Sequence, residues 1–208
     1  MNKMMAICLC WLLIVPLCAC SLPKSKANPI YYYTLDKTST SINAKALPYV
    51  LRIDRFTAGP PFNTQRMVYG DKGLHRNAYA NFKWIAEPGE MLAYALARDL
   101  QQANLFQAVL PPGADCPPTH TLQGWVEEFI EEDYESPAQA TVSISINLID
   151  DNQLDPVKRI LFQKRYHAKA PCSEKTPAAF SVAMSEATQQ MFDQVIQDIY
   201  NHLAIPTP

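Results

Sequence analysis

Between residues 176 and 203 the sequence places apolar side chains at the spacing of one helix face: Phe180, Met184, Ala187, Met191, Val195 and Ile199, widened by Phe192, Ile196 and Leu203. Residues three and four apart share a face, so this spacing predicts an amphipathic helix. Thr176-Pro177 supplies a capping hydroxyl and a first-turn proline. At ~1.5 Å per residue the helix extends about 40 Å. A stripe that long and wide is suited to covering a sheet, and the segments ahead of it provide one. Residues 119–134, 140–149 and 159–169 read as three consecutive strands, with turn composition at 150–155.

The first half of the chain adds shorter pieces. Residues 30–35 and 49–56 are rich in aromatic and β-branched side chains and predict strands. Ala58-Gly59-Pro60-Pro61 breaks the chain, and residues 65–69 and 74–79 form a hairpin pattern around Gly70-Asp71-Lys72-Gly73. Residues 88–103 carry Leu92, Ala95, Leu96, Leu100 and Ala103 on one helical face behind Pro88. A strand at 106–110 and proline-rich loops at 111–118 and 171–176 complete the series. The expected fold is α+β: a single mixed or antiparallel sheet of about five to seven strands with two helices packed on one face. With 208 residues and 48% hydrophobic content the chain can build its own core. A net charge of −2 without a Lys/Arg run argues against a nucleic-acid partner.

Lys3 is the only charged residue before Cys20, and Met4 to Ala19 is an uncharged run of 16 residues. That is a secretory signal in form and too short to span a bilayer comfortably. It ends in Leu17-Cys18-Ala19-Cys20, which resembles the lipobox of bacterial lipoproteins, in which the cysteine thiol becomes a thioether to lipid. Cleavage after Ala19 as an ordinary signal would instead leave Cys20 unacylated. The lipobox reading divides the chain into a signal peptide (1–19), a lipidated cysteine with a polar tether (20–29), a folded domain (30–203) and a tail (204–208). Acyl chains on Cys20 anchor the protein to a membrane, and Ser21 favours the outer membrane by the enterobacterial sorting rule, so the domain is expected to face the periplasm.

Few residues carry chemistry. His75, His120, His167 and His202 are scattered without the companions that a metal centre needs, and no phosphate-binding or nucleophile-elbow motif occurs. No metal and no cofactor are expected beyond the covalent lipid. Acidic residues 127–133 would alternate between faces of a strand and read as a charged edge or solvated face. Residues 150–155 lack the glycine and distal glutamate of a calcium loop. Cys116 and Cys172 are the two thiols left after export to an oxidising compartment, and a disulfide between them is expected.

Tyr31-Tyr32-Tyr33-Thr34-Leu35, Leu51-Arg52-Ile53-Asp54-Arg55-Phe56, Arg66-Met67-Val68-Tyr69 and Phe82-Lys83-Trp84-Ile85-Ala86-Glu87-Pro88 follow the lipobox in order. Together they resemble the ABC-type transport auxiliary lipoprotein family, which includes the outer-membrane lipoprotein of the paraquat-inducible intermembrane transport system. The resemblance implies a non-enzymatic role beside a permease, an ATPase and a periplasmic MCE-domain protein that move lipid or other hydrophobic molecules between membranes, with a homo-oligomeric ring as one form of assembly. Tyr31, Tyr32, Tyr33 and Trp84 are candidates for partner contact, and packing within a strand or core is an equal alternative for each. A different class of function is a stand-alone lipoprotein that binds a small hydrophobic ligand or an envelope polymer, marked by an apolar cavity between sheet and helices. A hydrolase would require a cleft that gathers His120 or His167 with a carboxylate.

Overall fold

The computed structural model describes residues 28–36, 44–70 and 75–205. The expected signal, Cys20 and most of the expected tether therefore lie outside the described residues, as do residues 71–74 of the expected hairpin and the end of the expected tail. In chain order the elements are β1 (Tyr31–Tyr33), β2 (Leu47–Ile53), β3 (Thr57–Ala58), β4 (Arg66–Gly70), β5 (Arg76–Trp84), α1 (Pro88–Ala103), β6 (Phe106–Leu110), β7 (His120–Glu132), β8 (Gln139–Asp150), α2 (Pro156–Arg159), β9 (Ile160–Pro171) and α3 (Pro177–Ala204).

The frame is the antiparallel meander β7–β8–β9, paired along nearly its whole length. Alternation explains its two faces. In β8, Ala140, Val142, Ile144, Ile146 and Leu148 are buried under the helices, while Thr141, Ser143, Ser145 and Asn147 point to the opposite face. The free edge of β7 is shared by three short parallel strands in succession: β2 at His120 to Leu122, β3 at Trp125 and Val126, and β4 at Glu131 and Glu132. Beyond them β6 joins β2 in parallel, β5 joins β4 antiparallel, and β1 joins β5 in parallel.

Among the described residues the sheet thus has nine strands, more than the five to seven expected. The surplus comes from pieces such as β1 and β3, of three and two residues, which hold their places through a neighbour and carry no periodic pattern of their own. The single strand expected at 49–56 is two, because the chain leaves one parallel pairing at Ile53 and resumes another at Thr57. α2, a single turn capped by Asp155 at the end of the expected turn, fills the gap before the expected last strand and takes its first residue, Arg159. The first long helix matches its expected span, and the second runs one residue further.

α1 packs over β2, β3, β6 and β7 and α3 over β8 and β9. The space between sheet and helices is filled by fully buried side chains, among them Leu51, Ile53, Leu92, Leu96, Leu100, Phe129, Tyr166, Phe180 and Phe192. Two glycines permit this closeness around Phe56. A Cβ at Gly89 would lie 2.4 Å from the Phe56 carbonyl oxygen, and one at Gly124 would lie 2.5 Å from its ring.

Candidate functional site

The helices leave most of β1, β4 and β5 as a wing at one end of the sheet. Its rings form a connected row. Tyr31 stacks on Phe82 at 5.5 Å between centroids, Phe82 meets Tyr79 edge-on at 6.1 Å, and Tyr79 lies 4.9 Å from Tyr69. Tyr33 joins at 6.3 Å from Phe82. At the outer rim Tyr31 and Tyr32 are 52% and 54% exposed and Ile30 is 46% exposed, a concentration of solvent-facing apolar surface on a three-residue strand. Tyr33 is half-buried.

Trp84 does not share that exposure. It is fully buried, 5.1 Å from Phe129 and 5.5 Å from Phe180. Its expected partner contact is therefore corrected: the indole joins the wing to the core under α3, and a side chain with no accessible surface meets no partner.

The expected disulfide is also corrected. Cys116 is exposed, Cys172 is buried, and both thiols are free. Cys116 precedes the start of β7. Cys172 donates its backbone N–H to Ala138 at the far end of the meander. The length of β7, about 40 Å at ~3.3 Å per residue, stands between them, whereas a disulfide requires Cα atoms within about 7 Å. Burial pushes the Cys172 thiol up to about 11, with the nearby Glu131 charge adding to the shift. It stays a protonated core side chain.

The acidic run on β7 divides as expected, with one addition. A bulge between Val126 and Glu128 brings Glu127 and Glu128 to the same polar face. There Arg165 pairs with Glu127 at 2.5 Å and with Glu128 at 3.4 Å, and Lys169 pairs with Glu132. Glu131 points the other way and is fully buried. Its Oε2 accepts the Tyr79 hydroxyl proton at 2.7 Å and its Oε1 has no hydrogen-bond partner. Burial is the main cause that raises this carboxyl above the usual range, with Asp133 adding to it, while the Tyr79 hydrogen bond and Lys175 pull against it. Alternation along a bulged strand marks Glu131 as inward-facing, but the bulge itself has no signature in the run of five acidic residues.

His120 and His167 stand at separate points of the sheet, one at the start of β7 and the other in β9. His167 Nδ1 is 3.6 Å from Glu128 on the open face, but the neighbouring Ser143 hydroxyl is buried and accepts a hydrogen bond from Arg165 Nε at 3.0 Å. His120 is buried against Tyr49 with Nδ1 2.9 Å from the Thr119 hydroxyl. Burial lowers its pKa, against the pull of Asp150 and Asp151. Among the described residues, no group of three His, Cys, Asp or Glu side chains could hold a metal ion. No helix among them is long and apolar enough to cross a membrane.

The family model of the ABC-type transport auxiliary lipoprotein component matches residues 33–196, from the last residue of β1 into the final turns of α3. The chain belongs to the ABC-type transport auxiliary lipoprotein family. The match takes in β2 to β9, the first long helix and most of the second, and leaves out Tyr31 and Tyr32 at the rim of the wing. No curated protein is significantly similar to the chain in sequence. Among solved structures, a DUF330-family protein from Xanthomonas campestris superimposes with a TM-score of 0.71 at 18% identity, over 83% of this chain and 95% of that one. A hypothetical protein from Chlamydia trachomatis gives 0.52 at 8% identity, over 76% and 98%. These likenesses show that the chain shares its fold with both proteins.

Proposed function

We propose that this auxiliary lipoprotein is a non-enzymatic subunit of an MCE-linked ABC system that moves lipid or other hydrophobic molecules between membranes. It is anchored through acylated Cys20 to the outer membrane and faces the periplasm, where it meets the MCE-domain protein, with a ring of copies as its assembly. Family membership over residues 33–196 carries the reading. The distribution of chemistry supports it. The carboxylates of the open face are engaged in ion pairs with Arg165 and Lys169, and Glu131 is fully buried. What such a domain offers is surface and attachment.

Genetic epistasis tests the assignment. Envelope permeability after deletion of this gene, of the MCE-domain gene and of both should be equal in all three strains, and additive defects would overturn a shared pathway. Complementation by Glu128→Gln should be complete if no carboxylate is catalytic, and Cys20→Ser should fail if the anchor is required.

A second reading, binding of an envelope polymer, is favoured by one feature of the open sheet face. A cleft of about 360 Å³ is lined by Asp54, Gln123, Trp125, Ser145, Asn147 and Gln163 among others. Gln123, Asn147 and Gln163 stand side by side in register across β7, β8 and β9, beside the half-exposed Trp125. Planar amides and an exposed indole suit a neutral saccharide. Sedimentation of the protein with purified envelope polysaccharide, weakened in Trp125→Ala, supports this reading, and no sedimentation of the native chain removes it.

A further inference from the structure

The wing differs from the rest of the molecule in three respects that converge on its β1 edge. The first is position. Asn28, where the described chain begins just ahead of β1, lies only eight positions after Cys20. At ~3.6 Å per residue or less, the eleven positions from Cys20 to Tyr31 keep the start of β1 within about 40 Å of any lipid on Cys20, whatever path the tether takes. The second is surface. Ile30, Tyr31 and Tyr32 are each about half exposed at this edge, and tyrosine, with an apolar body and a polar tip, is a residue type suited to the boundary between headgroups and acyl chains.

The third is charge. The chain as a whole carries −2, yet strands β1, β4 and β5 contain Arg66, Arg76 and Lys83 and no Asp or Glu. Tyr32 pairs in register with Lys83, and Lys83 with Arg66, so an exposed ring and two cations form one row across the wing. Basic residues beside a membrane are drawn to anionic headgroups, and a row that starts with an aromatic side chain at the rim matches the layering of an anionic bilayer surface.

We propose that the β1 edge of the wing docks on the membrane that holds the anchor, with Ile30, Tyr31 and Tyr32 in the headgroup layer and Lys83 and Arg66 against anionic lipid. The inference rests on acylation of Cys20 as read under the proposed function. One lipid tether alone leaves a domain free to tumble. Edge docking adds a second attachment that fixes the orientation of the domain: the far part of the sheet, β8 and β9, and the helices stand away from the bilayer, open to protein partners.

Hydroxyl-radical footprinting of the full acylated chain tests this, in vesicles of phosphatidylethanolamine with phosphatidylglycerol and in neutral-detergent micelles. Oxidation of Tyr31 and Tyr32 should be roughly fivefold slower in the vesicles, while Trp125 and Tyr134, exposed elsewhere, react equally in both. Combining Arg66→Glu with Lys83→Glu should restore the faster rates at Tyr31 and Tyr32. Equal rates in vesicles and micelles would overturn the docking, including equal protection in both, which would mark burial between copies of the chain. Protection unchanged in the double variant would overturn it as well. The mass of the N-terminal peptide from the same digest separates the two ideas: unacylated Cys20 defeats the anchor and the docking together, whereas acylated Cys20 with fully reactive Tyr31 and Tyr32 defeats the docking alone.

Discussion

Glu131 and Trp84 are both fully buried, and they affect stability in opposite directions. A carboxyl raised by burial holds its proton more tightly in the folded chain than in the unfolded one. Its contribution to stability is therefore full at low pH and is lost as pH climbs from the ordinary carboxylate range, about 4.3, toward the raised folded value. Glu131→Gln keeps an oxygen to accept the Tyr79 hydroxyl and removes this loss. Thermal unfolding should show a higher midpoint for the variant near neutral pH and a shallower decline from pH 4 upward, and a steeper decline would contradict the account. Trp84 holds the wing to Phe129 and Phe180, so Trp84→Ala should cost about 3–5 kcal/mol in denaturant unfolding. A loss within about 0.5 kcal/mol, as expected of an exposed site, would return Trp84 to the surface.

The elements with a period of their own were legible in the sequence: α1, α3 and the three long strands come from apolar spacing that survives tertiary packing unchanged. The elements that the sequence conceals are held by partners. β3 has two residues, and nothing in Thr57-Ala58 announces a strand until β7 lies beside it. The packing of Phe56 between Gly89 and Gly124 is hidden in the same way, since two glycines 35 positions apart share one aromatic neighbour. Gly124→Ala would drive a Cβ into the Phe56 ring, and a loss of about 1–3 kcal/mol is expected. A neutral effect in denaturant unfolding would mean that β7 does not hold this contact. The same distance argument explains the error over Cys116 and Cys172. Counting the thiols of an exported chain suggests a pair, but which end of a thirteen-residue strand each one occupies is decided by topology.

For the whole molecule, the candidate surface was legible only as residue types. Tyr31, Tyr32, Tyr33 and Trp84 stood out by chemistry, and the fold sorted them into a rim, a half-buried step and a core anchor according to how far α3 reaches over the sheet. The domain has a buried half, a sheet under two long helices, and open parts, a polar face and an aromatic, basic edge at β1. Isolation of the full chain from envelope membranes after mild cross-linking, with quantitative identification of the proteins recovered, tests most directly that this surface serves an ABC transport system. The account predicts recovery of an MCE-domain protein with its permease and ATPase, enriched by roughly tenfold or more over a mock isolation, a ratio that corresponds to about 1.4 kcal/mol of preferential association. Recovery of the chain with none of these components would contradict it.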